Sequence, residues 1–197
     1  ATENGHTNSM FNLAYCYYYR EGTEKNFEES FYWYQKAAEK DHFDAMLNLA
    51  NRYSDGVATE KNLEKAIYWY QKAAENGNEK AMFNLANSYY YGKGTEKNLE
   101  KSFYWYQKAA EKGHIGAMFN LANSYYFGKG TEKNLEKSFY WYYKAAEKDH
   151  FGAMLNLASG YSDGVGTEKN LEKAIHWYQK AAVNGNEKAM FNLANIY

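Results

Sequence analysis

The sequence repeats itself every 36 residues, and this repeat constrains the fold more than any other feature of the chain. A leucine marks each period, at Leu13, Leu49, Leu85, Leu121, Leu157 and Leu193. A tryptophan marks it again, at Trp33, Trp69, Trp105, Trp141 and Trp177. A fixed period of roughly 20 to 50 residues is typical of a solenoid, in which each unit buries its apolar face against its neighbours. We therefore expect an array, and a function that depends on its surface.

Each period contains two apolar patterns with helical spacing. In the first half of one unit Met118, Leu121, Ala122 and Tyr125 are spaced i, i+3, i+4 and i+7, which indicates one buried helical face. The second half has the same spacing at Leu135, Ser138, Phe139, Tyr142, Ala145 and Ala146. The pattern predicts an all-α chain of antiparallel helix pairs, with five full repeats and one further helix.

The residues between the two helices match a helix end followed by a helix start. Gly128 and Gly130 fall just after the first helix, where a left-handed residue is required and glycine adopts it at least cost. Asn134 occupies the position of an N-cap, and Glu136 lies in the first turn, where an acidic side chain suits the helix dipole.

We expect a single solenoid domain over residues 1–197. Its units lie at approximately 7–41, 42–77, 78–113, 114–149 and 150–185, with a partial unit at 186–197. A longer similarity extends over three units, because D-H-F-D-A-M-L-N-L-A at Asp41 reappears as D-H-F-G-A-M-L-N-L-A at Asp149. This similarity suggests growth by blocks and predicts that the chain is a fragment of a longer protein. Since no polar capping repeat is evident, we also expect homo-oligomers through the uncapped ends.

Composition excludes several classes of function. The net charge is -1 and positive residues are interspersed with glutamates, so there is no basic stripe for nucleic acid. No signal peptide and no run of 18 apolar residues occurs, which argues against a membrane partner. One cysteine, Cys16, cannot form an internal disulfide, which fits a reducing compartment. We expect a cytoplasmic protein.

The histidines at the turns between units share one register but do not predict a metal site. Neighbouring helices lie about 8–10 Å apart, whereas zinc needs nitrogens at about 2 Å. Asparagine replaces histidine at the equivalent Asn78 and Asn186. No nucleophile motif, phosphate loop or isolated acid pair breaks the repeat. We therefore expect no enzyme activity, no metal and no cofactor.

The repeat resembles a known family. The run beginning at Ala117 reads A-x-x-x-L-A-x-x-Y-x-x-G-x-G-T-x-x-N-x-x-K-S-x-x-W-Y-x-K-A-A-E and is similar to the Sel-1-like repeat, a relative of the tetratricopeptide repeat. Ala122 stands where that family usually has glycine, and Ala58 replaces the second loop glycine in its unit. The resemblance implies a right-handed α–α superhelical solenoid and an adaptor role in signalling or protein quality control.

The candidate binding surface is the concave face lined by the first helices. An asparagine offers donors and an acceptor together, so asparagines spaced by one unit suit the peptide groups of an extended chain. Aromatic residues in the central units, flanked by Ser and Asp at equivalent positions, favour an interface with an apolar centre. The predicted protein- or peptide-binding residues are Asn51, Phe83, Asn84, Asn87, Tyr90, Tyr91, Phe119, Asn120, Asn123, Tyr126 and Phe127.

Two other functions are weighed against this interaction scaffold. One is a structural or self-associating module attached to a catalytic domain, for example a protein kinase. The other is an enzyme resembling the cysteine-rich relatives for which β-lactamase activity has been claimed. That likeness depends on disulfide-bonded repeats, and a single cysteine excludes it.

Overall fold

A computed structural model describes residues 2–19, 21–22 and 24–196, with the backbone alone described for residues 2–4. Within these ranges the chain forms eleven α-helices and no strand. The predicted all-α fold with a 36-residue helix-pair repeat is confirmed. The chain divides into two compact units, residues 1–98 and 99–197. The single domain over 1–197 and its unit boundaries stay predictions.

The unit of residues 1–98 contains five helices, each packed against the next. They are α1 (Thr2–Tyr19), α2 (Phe27–Ala38), α3 (Phe43–Asp55), α4 (Leu63–Glu75) and α5 (Glu79–Tyr91). We call α1, α3 and α5 first helices and α2 and α4 second helices.

The unit of residues 99–197 contains six helices, again packed in chain order. They are α6 (Leu99–Glu111), α7 (Ile115–Phe127), α8 (Leu135–Ala146), α9 (Phe151–Asp163), α10 (Leu171–Val183) and α11 (Glu187–Ile196). Here α7, α9 and α11 are first helices, and α6, α8 and α10 are second helices.

Helix starts and ends follow local side-chain chemistry. Asn134 is the predicted N-cap of α8, and its Oδ1 accepts a hydrogen bond from the backbone N–H of Lys137 at 2.8 Å. Gly128 ends α7 with φ +66°, in the left-handed region that glycine adopts without strain. Both sequence predictions are confirmed, and these caps fix where the loop between a first and a second helix begins and ends.

The core consists mainly of alanine, leucine, methionine and tyrosine side chains at the predicted spacing. Met118, Leu121 and Ala122 of α7 are buried, as are Tyr142 and Ala145 of α8. Tyr125, Leu135 and Phe139, which the same spacing assigned to the buried face, are only half-buried. The alanines allow close helix approach, and the tyrosines extend from the second helices toward the first helices.

Candidate functional site

Aromatic pairs with at least one exposed ring lie at the C-terminal ends of first helices. Phe127 is 61% exposed and Tyr126 is 38% exposed, and their rings meet edge to face at 4.9 Å. In the other unit, Tyr91 is 62% exposed and its ring meets that of Tyr90 in the same way at 4.9 Å. Each pair presents apolar surface beside the glycine that ends its helix.

Asparagines of the predicted row accept hydrogen bonds from tyrosines of the second helices. In the unit of residues 99–197, the hydroxyl of Tyr142 donates to Oδ1 of Asn123 at 2.6 Å. Burial raises the pKa of Tyr142 to about 12, although the nearby Asn156 amide and Ser138 hydroxyl act to lower it. The hydroxyl therefore stays protonated at neutral pH and can donate.

The same arrangement occurs in the unit of residues 1–98. The hydroxyl of Tyr70 donates to Oδ1 of Asn51 at 2.7 Å, and Nδ2 of Asn84 approaches the same oxygen at 3.4 Å. Burial and, to a smaller extent, the nearby Asp55 carboxylate raise the pKa of Tyr70 to about 12. Asn51 and Asn123 thus join a first helix to its second helix, a role that the sequence pattern did not indicate.

The histidines in the turn register are helix caps. Nδ1 of His150 accepts from the backbone N–H of Ala153 at 3.2 Å, and the predicted site residue Phe119 stacks on the imidazole at 4.4 Å. Burial lowers the pKa of His150, which keeps Nδ1 free to accept. Phe119 therefore contributes to packing between successive first helices.

A cleft of about 200 Å³ lies between α7, α8 and α9. Three of the predicted site residues line it, namely Asn123, Tyr126 and Phe127. We call it the Gly160 cleft, and its remaining lining residues are Leu135, Ser138, Phe139, Tyr142, Asn156, Ser159, Gly160, Asp163 and Val165. Since ligand pockets for drug-sized molecules span roughly 300–1,000 Å³, this cleft fits a single side chain of a larger partner.

The predicted site residues separate into different environments. Asn123, Tyr126 and Phe127 come together at the Gly160 cleft, whereas Phe119 packs on His150 and Asn120 is half-buried on α7. The remaining six belong to the unit of residues 1–98, where Tyr91 is exposed and the others are half-buried: Asn51, Phe83, Asn84, Asn87, Tyr90 and Tyr91.

Sequence reasoning missed the residues that give the cleft its depth. Gly160 has no side chain to fill the cleft. Phe139 and Tyr142 of α8 and Asp163 at the end of α9 also line it. The available signal was the departure of Gly160 from the equivalent Ser124, since a missing side chain at one repeat position leaves space that the other repeats fill.

The described residues include neither a cluster of metal ligands nor a helix that could span a membrane. They contain no group of three or more His, Cys, Asp or Glu side chains that could hold a metal ion. Among the same residues, none of the helices is long and apolar enough to cross a membrane.

These observations define an array of helix pairs with a 36-residue period. The chain belongs to the Sel1 repeat family, whose model matches residues 7–42, 43–78, 79–114, 115–150 and 152–186. Proteins of this family are generally non-catalytic, protein-interacting scaffolds. No curated protein matches the chain at a significant level.

Solved structures share the fold. A protective antigen of uropathogenic Escherichia coli, c5321, superimposes with a TM-score of 0.95 at 29% identity over 98% of this chain, which spans 42% of that protein. A Sel1 repeat protein of Oxalobacter formigenes has a TM-score of 0.85 at 35% identity, covering 97% of this chain and 76% of the other. Cysteine-rich protein B of Helicobacter pylori has a TM-score of 0.54 at 29% identity, covering 68% and 96%.

Proposed function

We propose that this chain is a non-catalytic adaptor that binds an extended peptide or protein segment on the face of its first helices. The observation that carries the proposal is the Gly160 cleft beside the exposed pair Tyr126 and Phe127. Aromatic residues next to a pocket are the usual anchors of an interface. A role in signalling and a cytoplasmic location belong to the same proposal.

The polar atoms beside this aromatic pair support an extended ligand. Asn123 and Asn156 line the cleft from successive first helices, and Ser159 and Asp163 follow on α9. Asn123 Oδ1 and the Ser159 hydroxyl are already hydrogen-bonded to Tyr142 and Tyr178. The amide N–H groups of Asn123 and the carboxylate of Asp163 provide donors and acceptors for the C=O and N–H groups of a peptide backbone. The aromatic pair then supplies apolar contact, and the polar row supplies orientation.

A second candidate function is self-association, with the chain serving as a structural module next to a catalytic domain. The observation in its favour is α11, where Phe191 is 68% exposed and Met190 is 47% exposed. Such apolar side chains favour contacts between copies. This function needs α11 but not the Gly160 cleft, so the two candidates are separable by mutation.

The test compares two double variants that each remove two exposed aromatic rings. Tyr126→Ala with Phe127→Ala removes the pair at the cleft. Tyr104→Ala with Tyr140→Ala removes rings that are 50% and 51% exposed on second helices and do not line the cleft. Immobilised proteins are incubated with a fluorescent pool of random octapeptides, and the retained fluorescence is measured.

The adaptor proposal predicts at least about tenfold lower retention by the first variant and near wild-type retention by the second, since each tenfold corresponds to about 1.4 kcal/mol. Light scattering coupled to size-exclusion chromatography is run on both variants and on Met190→Ser with Phe191→Ser. Equal retention by all proteins, together with a dimer that only the α11 variant abolishes, would favour the structural module instead.

A further inference from the structure

The Gly160 cleft exists because one repeat position lacks a side chain. The residues equivalent to Gly160 are Cys16, Arg52, Ser88 and Ser124, each 36 residues from the next. A Cβ atom built at Gly160 would lie 3.0 Å from Cδ2 of Phe139 and 3.2 Å from the carbonyl oxygen of Val165. Any side chain at this position would therefore point into the space that the cleft occupies.

The unit of residues 1–98 shows what fills the equivalent space there. Arg52 is only 6% exposed, and its guanidinium carbon lies 3.7 Å from the centre of the Tyr18 ring. A cation over an aromatic face within about 6 Å is attracted by the ring's electrons, and the planar guanidinium also stacks on it. Arg52 therefore occupies, in the unit of residues 1–98, the space that is equivalent to the Gly160 cleft.

An aromatic pair with the same edge-to-face geometry lies in both places. Tyr18 and Tyr19 meet edge to face at 4.7 Å, and the equivalent Tyr126 and Phe127 do so at 4.9 Å. The difference is that Tyr126 has Gly160 in the place of the arginine. Position 160 thus has no side chain to cover the Tyr126 ring in the way that Arg52 covers the Tyr18 ring.

We propose that the Gly160 cleft binds an arginine side chain of the peptide segment, with the guanidinium stacked on Tyr126 and facing Asp163. This inference rests on the proposed adaptor function, which it narrows to arginine-containing segments. The Asp163 carboxylate, on the exposed end of α9, supplies the complementary charge. The volume of about 200 Å³ accommodates one such side chain.

A lysine lies over the corresponding tyrosine ring in both units, and in the unit of residues 1–98 the arginine is accommodated beside it. Nζ of Lys133 lies 5.8 Å from the centre of the Tyr126 ring, and Nζ of the equivalent Lys25 lies 5.7 Å from that of Tyr18. Because Tyr18 carries Lys25 and Arg52 at once, a tyrosine in this setting can contact both. Nζ of Lys129 lies 5.3 Å from the centre of the neighbouring Phe127 ring.

The experiment uses three octapeptide pools that are random except at one central position. That position is fixed as arginine, as lysine, or as citrulline, which keeps the shape of arginine and removes its charge. Fluorescent pools are incubated with the immobilised wild-type chain and with the Gly160→Arg variant. This variant places in the cleft the same residue type as the equivalent Arg52. Gly160→Ser, which introduces the residue found at the equivalent Ser124, is a milder second variant.

We expect retention of the arginine pool to exceed that of the citrulline pool at least about fivefold, with the lysine pool between them. Gly160→Arg should remove this excess, Gly160→Ser should reduce it, and Asp163→Asn should reduce it as well. Thermal unfolding of each variant verifies folding, and if Gly160→Arg does not fold, the serine and asparagine variants decide.

Different results would contradict the arginine inference and the adaptor function. Equal retention of the arginine and citrulline pools, lost in the Tyr126→Ala, Phe127→Ala variant, overturns the arginine inference and leaves the adaptor function in place. An arginine excess that persists in Gly160→Arg also overturns it. Retention of no pool by the wild-type chain overturns both proposals.

Discussion

The Tyr142 hydroxyl donates to Asn123 Oδ1 across 2.6 Å, linking the middle of a second helix to the first helix of its own repeat. Tyr70 and Asn51 repeat this bond at 2.7 Å in the other unit. In the first repeat the acceptor is missing, because Tyr15 stands at the asparagine position. The buried hydroxyl of Tyr34 has no hydrogen-bond partner among the described residues.

Replacing Asn123 by alanine should destabilise the protein. The change leaves the buried Tyr142 hydroxyl without its acceptor, which costs about 1–3 kcal/mol. Urea denaturation followed by circular dichroism measures the free energy of unfolding. The double variant with Tyr142→Phe is the control: it should lose less than the sum of the two single changes, and strict additivity would contradict the bond's contribution.

Replacing Tyr34 by phenylalanine should raise the free energy of unfolding by about 1 kcal/mol, because it removes a buried hydroxyl that lacks a partner among the described residues. Burial also raises the pKa of this hydroxyl. Tyr142→Phe, the same chemical change where the hydroxyl is bonded, should lower stability by about 1 kcal/mol. Denaturation curves of the two variants should therefore shift in opposite directions. A shift of both curves in the same direction would refute this explanation.

Stability should fall as the pH drops from 7 toward 5, in part because of His150. Its pKa in the folded protein lies below the ordinary 6.5, so the unfolded chain takes up the proton first. The stabilising contribution is therefore complete above pH 6.5 and decreases below it. His150→Asn should weaken this dependence, since Asn78 caps α5 in the same way without titrating there.

The control for that pH series is His176→Asn, which changes an exposed histidine on the second helix α10. Thermal midpoints between pH 5 and 8 provide the measurement. The explanation fails if His150→Asn keeps the full wild-type slope or if His176→Asn flattens it equally. His42 has the same cap and a lowered pKa, although the neighbouring Asp44 opposes the burial effect.

Ala58→Gly should stabilise the chain by about 1 kcal/mol. Ala58 has φ +59° at the repeat position where the other described units have glycine, and left-handed backbone costs an L-residue about 1–2 kcal/mol. The reverse change, Gly130→Ala, should cost more than about 1–2 kcal/mol, because an added Cβ would also overlap the carbonyl of Leu99. Chemical denaturation tests both, and a loss of stability in Ala58→Gly would contradict the strain.

The fold could be predicted from the sequence because each local signal occurs several times. Asn134 and Gly128 show the caps of one repeat, and their equivalents in other repeats make the assignment secure. The half-buried Tyr125 and Phe139 were harder to place, because helical spacing locates a side chain on a face but not at the face's edge.

The candidate site could be predicted only in part. Tyr126 and Phe127 were selected as outward-facing aromatics and do border the cleft. The sequence predicts Asn123 as a ligand-binding amide, yet its oxygen accepts from Tyr142, a contact between two helices that no spacing within one helix reveals. The departure of Gly160 from the equivalent Ser124 marks the position in the sequence, but its effect depends on neighbours from other helices that the sequence does not place.

The central claim is that the end of α7 contacts the bound segment, and photo-crosslinking tests it most directly. A benzophenone amino acid is placed at Phe127 in one protein and at Tyr140 in another, and each is irradiated with the arginine-fixed peptide pool. Mass spectrometry should find peptide adducts at position 127 and few at position 140. Adducts of equal yield at both positions, or at position 140 alone, would contradict the account.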